Sequence, residues 1–219
     1  MEPVRYVKSN HLRLVTEIFL VLGGICIFAW FVHREGVLFL IAVAGLIFAS
    51  VILSRAVFIS PSPAGLLGLD IYDFKVLIFS FAGLAAGLAA ALGYHSFYGI
   101  QNLPGALTII ALVSPLIGIT EEIIFRGYLQ GRAQQFGPAV AVAGAAAGHT
   151  LYKYLVLKSL TVPVVIDFPR LVLFTFLFGL AVGIFRQISR SVIPALAAHA
   201  LFDILVYGDF SAMPVWVWG

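Results

Sequence analysis

Seven apolar stretches of about twenty residues, separated by short polar segments, constrain the fold of this chain more than any other feature. A helix needs roughly 20 apolar residues to cross the hydrocarbon core of a bilayer. The stretches cover residues 14–33, 36–59, 74–94, 104–128, 138–157, 169–187 and 191–208. The pattern predicts an all-α fold, a polytopic transmembrane helical bundle of about seven spans, within a range of six to eight.

The composition favours lipid over water as the environment of this fold. Of the 219 residues, 62% are hydrophobic and only 11% are charged. A soluble domain with so few charged side chains could not cover its surface with polar groups. The single cysteine, Cys26, lies in an apolar stretch, so neither an internal disulfide nor a zinc–thiolate site is expected. The small net charge of +3 gives no indication of a nucleic-acid surface.

Prolines and small residues indicate how the spans are arranged. Pro104, Pro138 and Pro169 lie where new helices are predicted to begin, a position that tolerates the missing N–H. The fifth stretch starts with PAVAVAGAAAGH, and small residues of this kind let helices approach closely in lipid. This helix is therefore predicted to lie in the centre of the bundle.

One membrane domain with three regions is expected. Residues 1–103 form N-terminal helices and an interfacial loop, residues 104–208 the region of the candidate site, and residues 209–219 a short tail. The basic residues ahead of the first stretch resemble the start of a signal peptide. No small-residue cleavage site follows them, so a retained first helix is expected.

The distribution of basic residues predicts a cytoplasmic N-terminus. In this orientation the cytoplasmic segments carry eight lysines and arginines and the outer segments four, with Arg126 left aside as part of the candidate site. The cytoplasmic set is Arg5, Lys8, Arg13, Arg55, Lys75, Arg132, Arg186 and Arg190, and the outer set is Arg34, Lys153, Lys158 and Arg170.

The ionisable residues inside the predicted spans form one candidate site. An ionisable side chain inside a span costs at least about 2.5–3.5 kcal/mol on insertion scales, so a function is the default explanation for it. The residues are Glu121, Glu122 and Arg126 in the fourth stretch, His149 in the fifth, and His199 and Asp203 in the seventh. Each lies about 8–12 residues from the predicted cytoplasmic end of its helix, at a common depth of about 12–18 Å.

Helical spacing predicts which of these residues face each other. Glu122 and Arg126 are four residues apart with the acid first, which favours an ion pair on one face. Glu121 points about 100° away and has no obvious local partner, so it suits a general base that acts on water. His199 and Asp203 are also four apart, so the carboxylate can orient the imidazole and favour its protonated form.

These motifs resemble those of the CPBP family, the CAAX-protease and bacteriocin-processing group of intramembrane proteases, now called glutamic-type and formerly described as metal-dependent. The resemblance lies in EExxxR from Glu121 to Arg126, a histidine in the next helix at His149, and HxxxD from His199 to Asp203. The run RSVIPALAAHALFD strengthens it, and the resemblance covers residues 104–207. It implies an intramembrane endopeptidase of a prokaryotic plasma membrane.

The resemblance also implies roles for the individual residues. Glu121 and His149 would activate the attacking water, His199 and Asp203 would support the oxyanion, and Glu122 and Arg126 would shape the pocket. The implied substrates are membrane-anchored or lipidated proteins cut near their C-terminus, at a CAAX-like or sorting tail.

This chain departs from the family pattern at two positions. Ala145 stands where the family commonly has a phenylalanine, four residues before His149, and leaves a roomier or more closely packed wall. Asp203 replaces a common asparagine. An ionised carboxylate cannot donate to an oxyanion, so Asp203 is expected to act through His199 or to be protonated itself.

The cofactor and two other functions remain alternatives. No cofactor is favoured, although zinc is possible, with Glu121, His149 and His199 as its ligands. A proton-coupled transporter would use the same residues as a relay, but the sequence has no inverted repeat. A membrane scaffold or immunity factor without proteolytic activity is the other alternative. The oligomeric state is not predicted, and no nucleic acid is expected as a partner.

Overall fold

The computed structural model describes residues 11–99, 103–161 and 166–214 and contains no strand within those ranges. The helices are α1 (His11–Phe31), α2 (Val37–Phe58), α3 (Pro63–Leu67), α4 (Phe74–Tyr98), α5 (Ile110–Glu122), α6 (Gln130–Ala133), α7 (Pro138–Lys158), α8 (Phe168–Ser189) and α9 (Ile193–Tyr207). A π-helical segment, Ile123–Leu129, joins α5 to α6, and a 3₁₀ turn, Gln134–Phe136, follows α6. The predicted all-α fold is confirmed.

Every predicted span corresponds to a helix, but the fourth begins later than expected. It starts at Ile110 and continues through the π-helical segment into α6. Pro104 therefore does not begin a helix, whereas Pro138 and Pro169 occupy the first turns of α7 and α8. Thr108 marks the actual start, because its hydroxyl accepts from the Ile110 N–H at 3.1 Å and donates to the Phe210 carbonyl at 2.7 Å.

Five helices, α1, α2, α4, α7 and α8, are long and apolar enough to cross a membrane. The continuous helix from α5 to α6 carries the charged candidate residues. Helix α9 has 15 residues, and at about 1.5 Å per residue it is shorter than a hydrocarbon core of about 30 Å. The chain is an integral, multi-pass membrane protein.

Helix α7 has the central position that its small residues predict. In its most apolar 18-residue window 61% of the residues are buried, against 17–28% in the other four spanning candidates. It packs against α1, α8 and the π-helical segment. The side chains of α7 therefore face protein on most sides, which allows polar residues on this helix.

Glycines on α4 bring α9 into close contact. A Cβ atom at Gly83 would lie 2.2 Å from the Pro194 carbonyl oxygen, and one at Gly87 would lie 2.2 Å from the Ala198 oxygen. Only glycine permits this approach without a shift of the backbone. Because Ala198 precedes His199, these contacts fix the height at which the His199 imidazole enters the bundle.

An ionic cluster outside the candidate site joins α1 to the end of the continuous helix from α5 to α6, which we call the long helix. It consists of Glu17, Tyr128 and Arg132, and we call it the Glu17 cluster. Glu17 Oε1 accepts from the Tyr128 hydroxyl at 2.6 Å and from Arg132 Nε at 2.7 Å. Arg132 Nη2 donates to Oε2 at 3.1 Å. Every polar contact here ties two helices together.

Two of the basic residues counted for orientation are buried. Lys153 contacts Glu121, so its placement in an outer segment is wrong. Arg186 donates from Nε to the Arg126 carbonyl at 3.0 Å. Without Arg186 and Lys153 the counts become seven (eight less one) and three (four less one). Arg5 and Lys8 lie outside the described residues, and the cytoplasmic N-terminus stays a prediction.

Candidate active site

The two glutamates lie at the end of α5, where the helix widens into its π-helical segment. Glu121 and Glu122 are both buried, as is Arg126 within that segment. π-Helical turns inside α-helices occur frequently at functional sites. Glu121 turns toward α7 and Glu122 toward α9, as the 100° between adjacent residues predicts.

Glu121 contacts two side chains of α7. Its Oε2 lies 3.1 Å from His149 Nε2. The Lys153 ammonium contacts both oxygens, at 2.9 Å from Oε2 and 3.0 Å from Oε1. Sequence analysis missed Lys153 as a partner of Glu121. The available signal was its position four residues after His149, which places both residues on one face of α7.

Glu122 connects the long helix to α9. Its Oε1 accepts from Arg126 Nη1 at 2.9 Å, so the predicted ion pair is present. The same oxygen lies 2.9 Å from His199 Nδ1. Since an ionised carboxylate only accepts, His199 Nδ1 carries a proton in this contact.

Arg126 determines the tautomer of His149. Its Nη1 also contacts His149 Nδ1. A guanidinium has no acceptor, so Nδ1 accepts and the neutral imidazole carries its proton on Nε2. That proton is donated to Glu121. Arg126 thus donates to both Glu122 and His149, and His149 donates onward to Glu121.

Asp203 does not orient His199 as the HxxxD spacing predicted. Its Oδ1 lies 3.9 Å from His199 Nε2, beyond hydrogen-bond distance, and Glu122 holds the other ring nitrogen instead. His199 Nε2 also lies 3.7 Å from Glu121 Oε2. The Nε2 atom thus faces both Glu121 and Asp203 without bonding either.

The walls of the site explain two features of the sequence. A Cβ atom at Gly118 would lie 2.4 Å from Asp203 Oδ2 and 2.7 Å from His199 Cδ2, so only glycine leaves room for these side chains. Phe125 stacks on the His149 ring, with centroids 4.7 Å apart. Phe125 of the π-helical segment thus supplies an aromatic ring that covers the imidazole. Ala145, which stands where the family commonly has a phenylalanine, is buried on α7.

The set Glu121, His149 and His199 does not fit a zinc site in this arrangement. Among the described residues, no group of three or more His, Cys, Asp or Glu side chains has a geometry that could hold a metal ion. His149 Nδ1 faces Arg126, and both Glu121 oxygens face Lys153, so cations occupy the positions next to these lone pairs. Metal independence of the reaction stays a prediction.

Two aspartates near helix ends, Asp73 and Asp209, are not among the described residues that bond to Glu121 or Glu122. Asp73 caps α4, since its Oδ1 accepts from the Val76 N–H at 3.0 Å. Asp209 is exposed beyond the end of α9.

We call the seven residues that meet at this site the Glu121 cluster: Glu121, Glu122, Arg126, His149, Lys153, His199 and Asp203. Residues 103–205 of the chain match the family described as type II CAAX prenyl endopeptidase Rce1-like. The matched region contains the whole cluster. No curated protein and no solved structure gives a significant match to this chain.

Proposed function

We propose that this chain hydrolyses a peptide bond near the C-terminus of membrane-anchored or lipidated proteins, because residues 103–205 match the CAAX-type endopeptidase family model and this match supports the resemblance to the CPBP family. The bond is cut by a water molecule that Glu121 and His149 activate inside the helical bundle. His199 and Asp203 support the oxyanion of the tetrahedral intermediate.

One observation carries this proposal: two imidazoles converge on one buried carboxylate. Glu121 Oε2 lies 3.1 Å from His149 Nε2 and 3.7 Å from His199 Nε2. A structural ion pair does not require two imidazoles from two other helices at this distance. The arrangement suits a general base next to a potential oxyanion donor.

Glu121 accepts the proton of the attacking water. Its carboxylate is kept ionised by the Lys153 ammonium, and the His149 Nε2–H fixes its orientation. Arg126 in turn fixes the tautomer of His149. General acid–base catalysis by a positioned side chain contributes about 10²–10⁴-fold to the rate.

His199 donates to the developing oxyanion as an imidazolium. Before water attacks, the carboxylates Glu121, Glu122 and Asp203 exceed the cations of the cluster, Arg126 and Lys153, by one charge. A protonated His199 balances this charge, and buried charges are stable only when they are compensated. Glu122 holds Nδ1, so the Nε2–H points toward the space next to Glu121.

Asp203 acts on His199 electrostatically and not through a hydrogen bond. At 3.9 Å from Nε2 its carboxylate favours the imidazolium without taking the donated proton into a hydrogen bond. Glu122 and Arg126 have a positioning role, since they connect to the reacting groups through His199 and His149.

Mass spectrometry of membrane-protein C-termini tests the proposal and identifies the substrate class. Cells that carry the wild type are compared with cells that carry Glu121→Gln, and Glu17→Gln serves as the control for loss of a carboxylate in an ionic cluster. We expect a defined set of proteins to retain its tails only with Glu121→Gln. Retained tails behind a lipidated cysteine would indicate CAAX-like substrates, and retained tails without one would indicate sorting signals.

Identical C-termini in all three strains, with equal protein levels, would overturn the proposal. In that case a phenotype unaffected by Glu121→Gln would support a scaffold, and proton-dependent uptake in proteoliposomes would support a transporter.

A further inference from the structure

Lys153 is a buried lysine in direct contact with the residue assigned as the general base. We propose that Lys153 is the general acid of the reaction, the group that protonates the amine as the peptide bond breaks. This inference rests on the proposed function and adds a catalytic residue that the family motifs, EExxxR, the second-helix histidine and HxxxD, do not contain.

The geometry places a proton donor next to the base. Lys153 is only 7% exposed, and its Nζ lies 2.9 Å and 3.0 Å from the two oxygens of Glu121. It shares one face of α7 with His149, four residues earlier. Both of these Nζ contacts are to Glu121, so Nζ lies within the cluster.

The other cations and imidazoles at Glu121 are less suited to this role. Arg126 does not release a proton in proteins. The Nε2–H of His149 is donated to Glu121, and Nδ1 accepts from Arg126. His199 is required at the oxyanion. A lysine ammonium, in contrast to a guanidinium, can release a proton, and lysine serves in general acid–base catalysis.

The proton transfers of the cycle balance. Water attacks the carbonyl carbon, and its proton moves to Glu121. The Lys153 ammonium then lies 2.9 Å from a neutral carboxylic acid in place of an anion. It donates a proton to the amide nitrogen, and the C–N bond breaks with its electron pair on nitrogen. Glu121 returns the first proton to Lys153 across their 2.9 Å contact.

A comparison of amide and ester substrates tests this role. The peptide is a synthetic copy of a tail identified by the C-terminal mass spectrometry, prepared once with the amide and once with an ester at the cleaved bond. An ester needs little protonation of its leaving group, whereas an amide depends on it. The full-length protein is measured in liposomes as wild type, Lys153→Met and Lys153→Arg.

Lys153→Arg keeps the positive charge beside Glu121 but cannot release a proton. Lys158→Met is the matched control, because Lys158 lies on the same helix and its Nζ is 5.2 Å from the centre of the Phe168 ring, outside the cluster. Ester hydrolysis by each variant reports whether the rest of the site remains assembled.

We expect both Lys153 variants to lose about 10²–10⁴-fold in kcat/KM for the amide. The ester rate of Lys153→Arg, which keeps the positive charge beside Glu121, should fall less than about tenfold. Lys158→Met should keep both rates. An equal loss for amide and ester in Lys153→Arg would overturn the general-acid role, as would full amide activity of that variant. Failure of the wild type to cleave the amide would instead overturn the proposed function itself.

Discussion

The two ionic clusters on the long helix differ in how completely their polar atoms are paired. In the Glu17 cluster both carboxylate oxygens accept from Arg132, and one also accepts from Tyr128. In the Glu121 cluster, within the described part of the chain, Glu122 Oε2 and the Nε and Nη2 atoms of Arg126 are buried without a hydrogen-bond partner. His199 Nε2 faces two carboxylates at 3.7 Å and 3.9 Å.

This difference separates a structural cluster from a reactive one. A buried polar atom left without a partner costs about 1–3 kcal/mol. A fold that only needed to join helices would pair these atoms, as the Glu17 cluster does. The open atoms of the Glu121 cluster are consistent with a site that must bind water and substrate groups, and substitutions in the two clusters should therefore have different consequences.

The largest effect is expected for Glu121→Gln. Loss of the general base should lower kcat/KM for the tail peptide by about 10²–10⁴-fold. Since glutamine also removes the negative charge 2.9 Å from the Lys153 ammonium, the double variant Glu121→Gln/Lys153→Met should regain stability without regaining activity. Steady-state kinetics and thermal unfolding in detergent measure the two effects. Recovery of activity in the double variant would contradict the role of Glu121.

His199→Ala should have the next largest effect. Loss of one oxyanion donor costs about 2.7–4 kcal/mol in the transition state, or about 10²–10³ in kcat. KM should change much less, because the donor acts on charge that develops in the reaction. The kinetics of the purified protein provide the measurement, and an active His199→Ala enzyme would refute the oxyanion assignment.

A smaller effect is expected for Gly179→Ala. A Cβ atom there would lie 2.7 Å from Arg126 Nη2, so the guanidinium that holds His149 and Glu122 must shift. A displaced positioning group should lower kcat about tenfold, within the range known for small misplacements. Gly144→Ala is the control, because nothing lies within 4 Å of its added Cβ. Equal activities of the two variants would show that the position of Arg126 is unimportant.

Glu17→Gln should leave kcat unchanged and lower stability. Its contacts to Tyr128 and Arg132 involve charged hydrogen bonds of about 1.5–3 kcal/mol each before exposure is considered, so Tm should fall. Substitution of Glu35, which is exposed, should leave Tm unchanged. A large loss of kcat in folded Glu17→Gln would remove the distinction between the two clusters.

The sequence predicted the features that depend on one helix at a time. The length of the apolar stretches predicted the helical bundle, and the four-residue spacing predicted the Glu122–Arg126 ion pair. The small residues of α7 predicted its central position. The pairing of Glu121 with Lys153 depends on how α5 packs against α7, and no local spacing contains that information. The same holds for His199, whose orienting carboxylate is Glu122 on another helix and not Asp203 on its own.

Counting Lys153 among the basic residues of the outer segments was also misleading. A lysine near a predicted span end is normally exposed, and the positive-inside rule treats it that way. Its burial at Glu121 becomes understandable only once the carboxylate from α5 is in place.

Incorporation of ¹⁸O from water tests the central claim most directly, namely that the Glu121 cluster activates water and the Glu17 cluster does not. Membranes with wild type, Glu121→Gln or Glu17→Gln are incubated in H₂¹⁸O, and new C-terminal carboxylates are analysed by mass spectrometry. The account predicts one ¹⁸O atom in the new termini with wild type and Glu17→Gln, and no labelled termini with Glu121→Gln. Equal labelling with Glu121→Gln would contradict it.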